Sequence, residues 1–248
     1  MGVKDTLPIS GPPAHAGGNG LLAALPRPAR ERVAAACEAV ELAAGDVLMS
    51  PGMLATHAFF PLDAIVSLRL PTPRRHDGFE VALVGPEGMV GVPLLLGART
   101  SALQATVVKP GAAWRMTGAR LRAELRTDGA FRRRMHGYVL VSLMQMAQGV
   151  LCTRDHFVDQ RLARWLLMTQ DRAPLQDLHA THEFLAATLG VRRAGITRAA
   201  ASLQLRQLIA YHRGVLAIID RQGLEDAACD CYAADRASYA GTLGTAPA

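Results

Sequence analysis

The stretch THEFLAATLGVRRAGITRAAASLQ, Thr181 to Gln204, decides the reading of this chain. Thr181 is a good N-cap, and the apolar spacing predicts a short helix from there to Leu189, with Leu185 and Leu189 facing inward. Ala186 is small where another helix must cross, and Gly190 supplies the turn. Val191, Ile196, Ala199 and Leu203 then form the inner side of a second helix, over about 192–204. Two helices packed steeply around a small Ala and a turn Gly make a helix-turn-helix. The outward positions of the second helix are Arg192, Arg193, Ala194, Thr197 and Arg198.

The charge of this segment is one-sided. Between Glu183 and Asp220 no Asp or Glu occurs, while Arg192, Arg193, Arg198, Arg206 and Arg213 all fall inside. A solvated helix face normally mixes signs and gains from pairs one turn apart. A face of unpaired arginines instead suits the major groove of DNA, where the planar guanidinium fork donates two parallel bonds to guanine. Arg193, Arg198, Arg192, Ala194 and Thr197 are therefore expected at base edges. The following LIAYHRGVLAIID predicts two short strands around a His-Arg-Gly turn, a wing with Arg213 at its tip. Thr181, His182 and Arg213 are the expected phosphate contacts.

Outward from this stretch, the 248 residues are half hydrophobic and carry a formal net charge of +6, which admits a polyanionic partner. Residues 1–20 are Gly- and Pro-rich without the apolar core of a signal peptide, so they are expected to be a disordered tail. From Val40 to Met116 short apolar runs (Phe59–Phe60, Ala64–Leu70, Phe79–Val84, Ala105–Val108, Ala112–Met116) alternate with Gly, Pro and Asp. That texture predicts an antiparallel β-roll of jelly-roll or cupin-like type over 21–116. Helical spacing returns at Thr117. Phe131, Met135, Tyr138, Ser142, Gln145, Gly149 and Cys152 make one continuous stripe, with Val139, Leu143, Met146 and Val150 on a neighbouring face. A helix buried on two sides is either the central helix of a monomeric bundle or a dimerisation element; the region 117–155 is read as the latter, with Phe131, Met135, Tyr138, Ser142, Gln145 and Gly149 as its contacts. After the polar CTRDH, a further helix runs to the stopper Pro174. The DNA-binding domain is placed at 156–234 and a flexible tail at 235–248, an α+β chain overall. Val139 to Leu151 is too short and too polar to span a bilayer, and a soluble, cytoplasmic protein is expected.

The chain resembles the Crp/Fnr family of bacterial transcription regulators from about Leu21 to Tyr232. The resemblance rests on CTRDHFVDQRLARWLLMTQDR, on the helix-turn-helix stretch and on GVLAIIDRQGLEDAACDCY. It implies a cyclic-nucleotide-binding-like sensor, a dimer helix, a C-terminal winged helix, and a homodimer on pseudo-palindromic double-stranded DNA. It also raises RNA polymerase as a further partner and an unknown signal at the β-roll. By the resemblance Arg193 sits at the family's guanine-reading arginine and Arg198 at a second base-contacting one. Ala194 replaces a Glu that reads cytosine, so the half-site should differ there.

The sensor departs further. Val92 stands at the ribose-binding Glu position, and Leu103 with Gln104 at the phosphate Arg and its partner. A buried phosphate without a cation is costly, so cyclic AMP is not expected. The alternative is a cyclic-nucleotide-responsive regulator in which the nearby Arg99 substitutes. The iron–sulfur branch needs an N-terminal cysteine cluster, and no Cys precedes Cys37. His57 and His76 are isolated, offering neither a clear haem ligand nor a cupin metal cluster. An enzyme is not expected: there are no catalytic residues, P-loop or dinucleotide fingerprint. Cys37, Cys152, Cys229 and Cys231 form no paired C-x-x-C sets, so no metal site and no cofactor are expected. No base or helix start is evident that would lower a thiol pKa at Cys229 or Cys231.

Overall fold

The computed structural model describes residues 18–72, 75–172 and 178–244, with backbone alone at 75–77. Most of the expected N-terminal tail, the Pro174 stop and the His76 side chain lie outside the described residues. In chain order the elements are α1 (Gly20–Ala23), α2 (Arg27–Ala35), β1 (Glu38–Leu42), β2 (Val47–Met49), β3 (His57–Pro61), β4 (Ile65–Thr72), β5 (Arg75–Val84), α3 (Val92–Leu95), β6 (Gln104–Lys109), β7 (Gly111–Thr117), α4 (Gly118–Thr127) and α5 (Gly129–Asp155). They continue with α6 (Val158–Arg172), β8 (Leu178–His179), α7 (His182–Leu189), α8 (Arg193–Leu205), β9 (Ile209–His212), β10 (Val215–Ile218), α9 (Arg221–Ala227) and α10 (Cys231–Leu243). The strands pair in the orders β1-β7-β3, β2-β6-β4-β5 and β8-β10-β9.

The chain divides into two compact units. The first comprises residues 1–68 and 84–140, and the second 69–83 and 141–248. The outer part of the β4–β5 hairpin and the second half of α5 thus belong with the C-terminal elements. The side chains explain this: Trp165 Nε1 donates to Glu80 Oε1 at 2.8 Å, Arg69 reaches Thr188 Oγ1 at 3.4 Å, and Phe79 lies against Gly190.

The first unit is built around Phe60, Ile65, Met89, Met116, Leu121, Phe131 and Met135, all fully buried. β1 and β3 flank β7 antiparallel, Phe60 opposite Trp114 and Ala39 opposite the same residue on the other side. Asn19, 2 % exposed, caps α1 and donates to Pro61 O and Gly88 O at 3.0 and 2.8 Å. Residues 18–20 therefore belong to the fold, because an amide with four bonding sites fixes them to two loops. Asp128 starts α5 by accepting from the Ala130 and Phe131 N–H groups at 2.7 and 3.0 Å. Those bonds hold its carboxyl below the usual range, helped by the Arg32 ion pair. Gly88 allows Tyr138 to approach: an added Cβ would run into the phenol oxygen, which donates to Met89 O at 3.1 Å.

Two expectations about helices are corrected. The stripe read as a dimer contact is the face that α5 buries in its own chain: Phe131, Met135, Tyr138, Ser142 and Gln145 are all buried. At Gly149 an added Cβ would meet Val81 O of β5 at 4.0 Å. The face left open carries Leu140, Leu143, Met144, Val150 and Leu151. Periodicity revealed two apolar faces and could not say which one the chain covers itself. The expected tail at 235–248 is also not a tail up to Leu243. It is α10, whose Asp235, Tyr239 and Leu243 are buried, and Asp235 pairs with Arg164 at 2.5 Å.

In the second unit α6 is the central element. Its Leu162, Leu166 and Leu167 are buried, and it packs against α7, α8, α9 and α10. Asp171 near its end accepts from Arg221 at 2.6 Å and from the Tyr232 hydroxyl at 2.9 Å. No helix among the described residues is long and apolar enough to cross a membrane.

Candidate nucleic-acid interface

The helix-turn-helix forms as its residues dictate. Thr181 Oγ1 accepts from Phe184 N at 3.1 Å and starts α7. Gly190 ends it at φ +67°, a conformation that costs glycine nothing, and Arg161 donates to the freed Leu189 carbonyl. Leu185, Ala186, Ile196, Ala199 and Leu203 are buried against one another and α6. Arg192, Arg193, Ala194, Thr197 and Arg198 all face solvent. The wing is a hairpin with Arg213 and Gly214 both at positive φ, +49° and +83°, the pair that a tight two-residue hairpin turn requires. Arg213 is exposed at its tip. A third strand, β8, was not expected; it pairs with β10 and sets the wing beside the start of α7, with Ala180 N donating to Gly214 O at 2.8 Å.

The polar groups of this surface are not equally free. His182 stacks on Tyr211 with ring centroids 4.8 Å apart, and its Nδ1 lies 3.1 Å from Thr197 Oγ1. Its Nε2 is buried, and burial followed by the charge of Arg193 holds the imidazole below its ordinary pKa. With Nε2 buried and Nδ1 beside Thr197, the ring nitrogens are turned away from solvent, which does not fit the phosphate contact expected of His182. The Thr197 hydroxyl also donates to Arg193 O at 3.2 Å, which leaves its methyl group as the outward part. Glu183 lies 3.9 Å from Arg193, both side chains being exposed, so the expected absence of any acid near this helix is corrected by one residue at the stretch's edge. An exposed pair at that distance contributes little.

In the first unit, Arg99 is exposed and its carbonyl accepts from Ala55 N at 2.8 Å. Leu103 N is taken by Ser101 Oγ at 2.9 Å, and the Gln104 amide donates to Thr106. His57 bonds its neighbour Thr56 at 2.9 Å, and burial lowers its pKa.

A second constellation, not legible in the sequence, lies in the second unit. Cys152, His156, Cys229 and Cys231 bring their Sγ and ring nitrogen atoms within 4.8 Å of one another. A hydrogen bond from Cys229, aided by Arg164, holds Cys152 down at about 5 despite burial, and the same bond pushes Cys229 up. Arg164 acts on Cys152, whereas Cys229 and Cys231 are both raised, Cys231 by burial first, in keeping with the expectation that no local base or helix start lowers those two thiols. Its traces in sequence were a C-x3-H and a C-x-C, each unremarkable alone.

A winged helix-turn-helix with a basic outer face is the class that this geometry defines. Residues 160–227 match the family described as the Crp-like helix-turn-helix domain. Among solved structures, a transcriptional regulator of the Crp/Fnr family from Eubacterium rectale is 16 % identical, covering 84 % of this chain and 96 % of its own, with a TM-score of 0.65. A Crp/Fnr-family regulator from Thermus thermophilus is 22 % identical over 77 % of this chain and 98 % of its own, at 0.64. The c-di-GMP-responsive global regulator CLP of Xanthomonas campestris is 16 % identical over 78 % and 99 %, at 0.63. No curated protein matches the sequence significantly. The chain therefore shares the fold of these solved structures and carries a Crp-like helix-turn-helix domain over residues 160–227.

Proposed function

We propose that this regulator acts as a homodimer that reads a pseudo-palindromic DNA site through α8, without chemistry of its own, in the cytoplasm. The observation that carries the reading is the outer face of α8: five outward positions hold three arginines, an alanine and a threonine, over an inner face that is wholly apolar. Arg193 and Arg198 serve as base readers, with Arg192 beside them at the helix start. Ala194 and the Thr197 methyl offer apolar contact of the kind a thymine methyl accepts. Thr181 and Arg213 meet phosphates on either side, and the two α8 helices enter successive major grooves about one turn apart.

The dimer face is Leu140, Leu143, Met144, Val150 and Leu151, which recur at helical spacing along α5 and are all exposed. A second copy is the natural occupant, because a two-fold site on DNA requires two readers and a 27-residue helix offers a self-complementary ridge. The β-roll is the proposed place of an unidentified signal. The test is sedimentation of the full chain beside Leu143→Glu, with a titration onto a two-half-site duplex. The wild type should have twice the 26.4 kDa chain mass, and the variant should be monomeric and bind at least tenfold more weakly. A variant that remains dimeric and binds unchanged would refute this interface.

A further inference from the structure

We propose that Cys152, His156, Cys229 and Cys231 form a structural site for one Zn2+ ion, which fastens both ends of the DNA-binding segment. The four donor atoms lie within 4.8 Å of one another. Cys152 Sγ is 3.5 Å from Cys229 Sγ, and Cys231 Sγ is 3.5 Å from His156 Nδ1. Tetrahedral zinc, with bonds of about 2.3 Å to sulfur and about 2.0 Å to nitrogen, separates neighbouring ligands by about 3.4–3.8 Å. Both 3.5 Å spacings fall in that range, and the remaining ones, none above 4.8 Å, need side-chain shifts of at most about 1 Å to close on one ion. An iron–sulfur cluster would hold its thiolates farther apart, around bridging sulfides.

The donors come from elements that the sequence separates widely. Cys152 is in the last turn of α5, and His156 follows the helix end one turn on. Cys229 lies in the link between α9 and α10, and Cys231 is the first residue of α10. The thiols are 2, 5 and 1 % exposed, so they sit in a closed pocket rather than on a reactive surface. Three thiols could be simple buried apolar groups, but that reading gives no reason for an imidazole nitrogen to face the third. Three thiolates and an imidazole are the soft tetrahedral set that selects zinc, and four protein ligands leave no open position for catalysis. The net negative charge of the loaded site is balanced by Arg164 and Arg161, which interact electrostatically with Cys152 and Cys229.

The placement suggests the purpose. Residues 160–227, the Crp-like domain, lie wholly between the first donor pair and the second. Closing the 77-residue separation from Cys152 to Cys229 ties the end of the proposed dimer helix to the segment that follows the wing. Such a clip removes freedom from the unfolded chain and fixes the path into α6. The site does not depend on what α8 reads.

The test uses the full chain purified under reductant after growth with Zn2+, then desalted and analysed by plasma mass spectrometry. One zinc per chain is expected. Replacement by Co2+ should give the intense visible bands of a tetrahedral ion and near-ultraviolet thiolate charge transfer. Cys229→Ser and His156→Ala should each retain at least tenfold less metal through a chelator step, whereas Arg193→Ala should retain all of it. His156 is only half-buried, so its variant keeps the test valid if the cysteine variants fail to fold. Wild-type protein that retains no zinc and gives only the weak spectrum of hydrated Co2+ would overturn the site. So would undiminished metal in Cys229→Ser, or a Cys152–Cys229 disulfide in the protein as isolated.

Discussion

The outer face of α8 and the α3–β6 region of the β-roll are the two regions where a phosphate was expected or weighed from the sequence, and their chemistry is opposite. On α8, Arg192, Arg193 and Arg198 are exposed, and the acid at hand is an exposed Glu183 at 3.9 Å from Arg193. In the β-roll the positions that the resemblance assigns to a cyclic nucleotide, Val92, Leu103 and Gln104, carry no charge, and Arg99 faces solvent. A shared backbone therefore does not carry a shared ligand: a phosphate taken into the β-roll would lose its water without gaining a cation.

This contrast can be broken or sharpened by experiment. The largest effect is expected at Arg193→Ala, which should cost about 1–3 kcal/mol on the preferred site and relax discrimination at one guanine, read by binding titrations against single-base variants of the site. Arg213→Ala should weaken all sequences alike and lower the slope of log K against log salt by about one unit. A smaller effect concerns His182, whose folded pKa lies below its ordinary value. The unfolded chain then takes up the proton first, so this contribution is complete above about pH 6.5 and is lost as the pH falls below it. His182→Gln should flatten the acid-side fall in melting temperature, read by melting curves across that pH range. Excess cyclic AMP should leave the melting temperature unchanged, whereas a ligand at a hundredfold excess over its Kd would add about 2.7 kcal/mol.

What the sequence made legible was local. The α7–α8 pair and the wing turn each rest on residues within a few positions of one another, so spacing, a cap and two glycines sufficed. The longer strands of the β-roll were marked by their Gly and Pro punctuation. Short β2 and β8 were missed, because three and two residues become strands only through β6 and β10 beside them. Phe131, Met135 and Tyr138 do form one stripe, but the chain covers it itself, and periodicity does not name the surface that covers a stripe. The Cys and His cluster was invisible because its halves meet across 77 residues, and α10 because nothing local showed that Asp235 has an arginine to face.

The central claim is that α8 reads DNA sequence, and the most direct measurement is selection of random duplexes by the purified full chain without added ligand, with Arg193→Ala beside it. The wild type should enrich a two-fold symmetric motif, with one half-site position loosened in the variant. Binding that is salt-sensitive but enriches no motif, or a motif unchanged in Arg193→Ala, would contradict it.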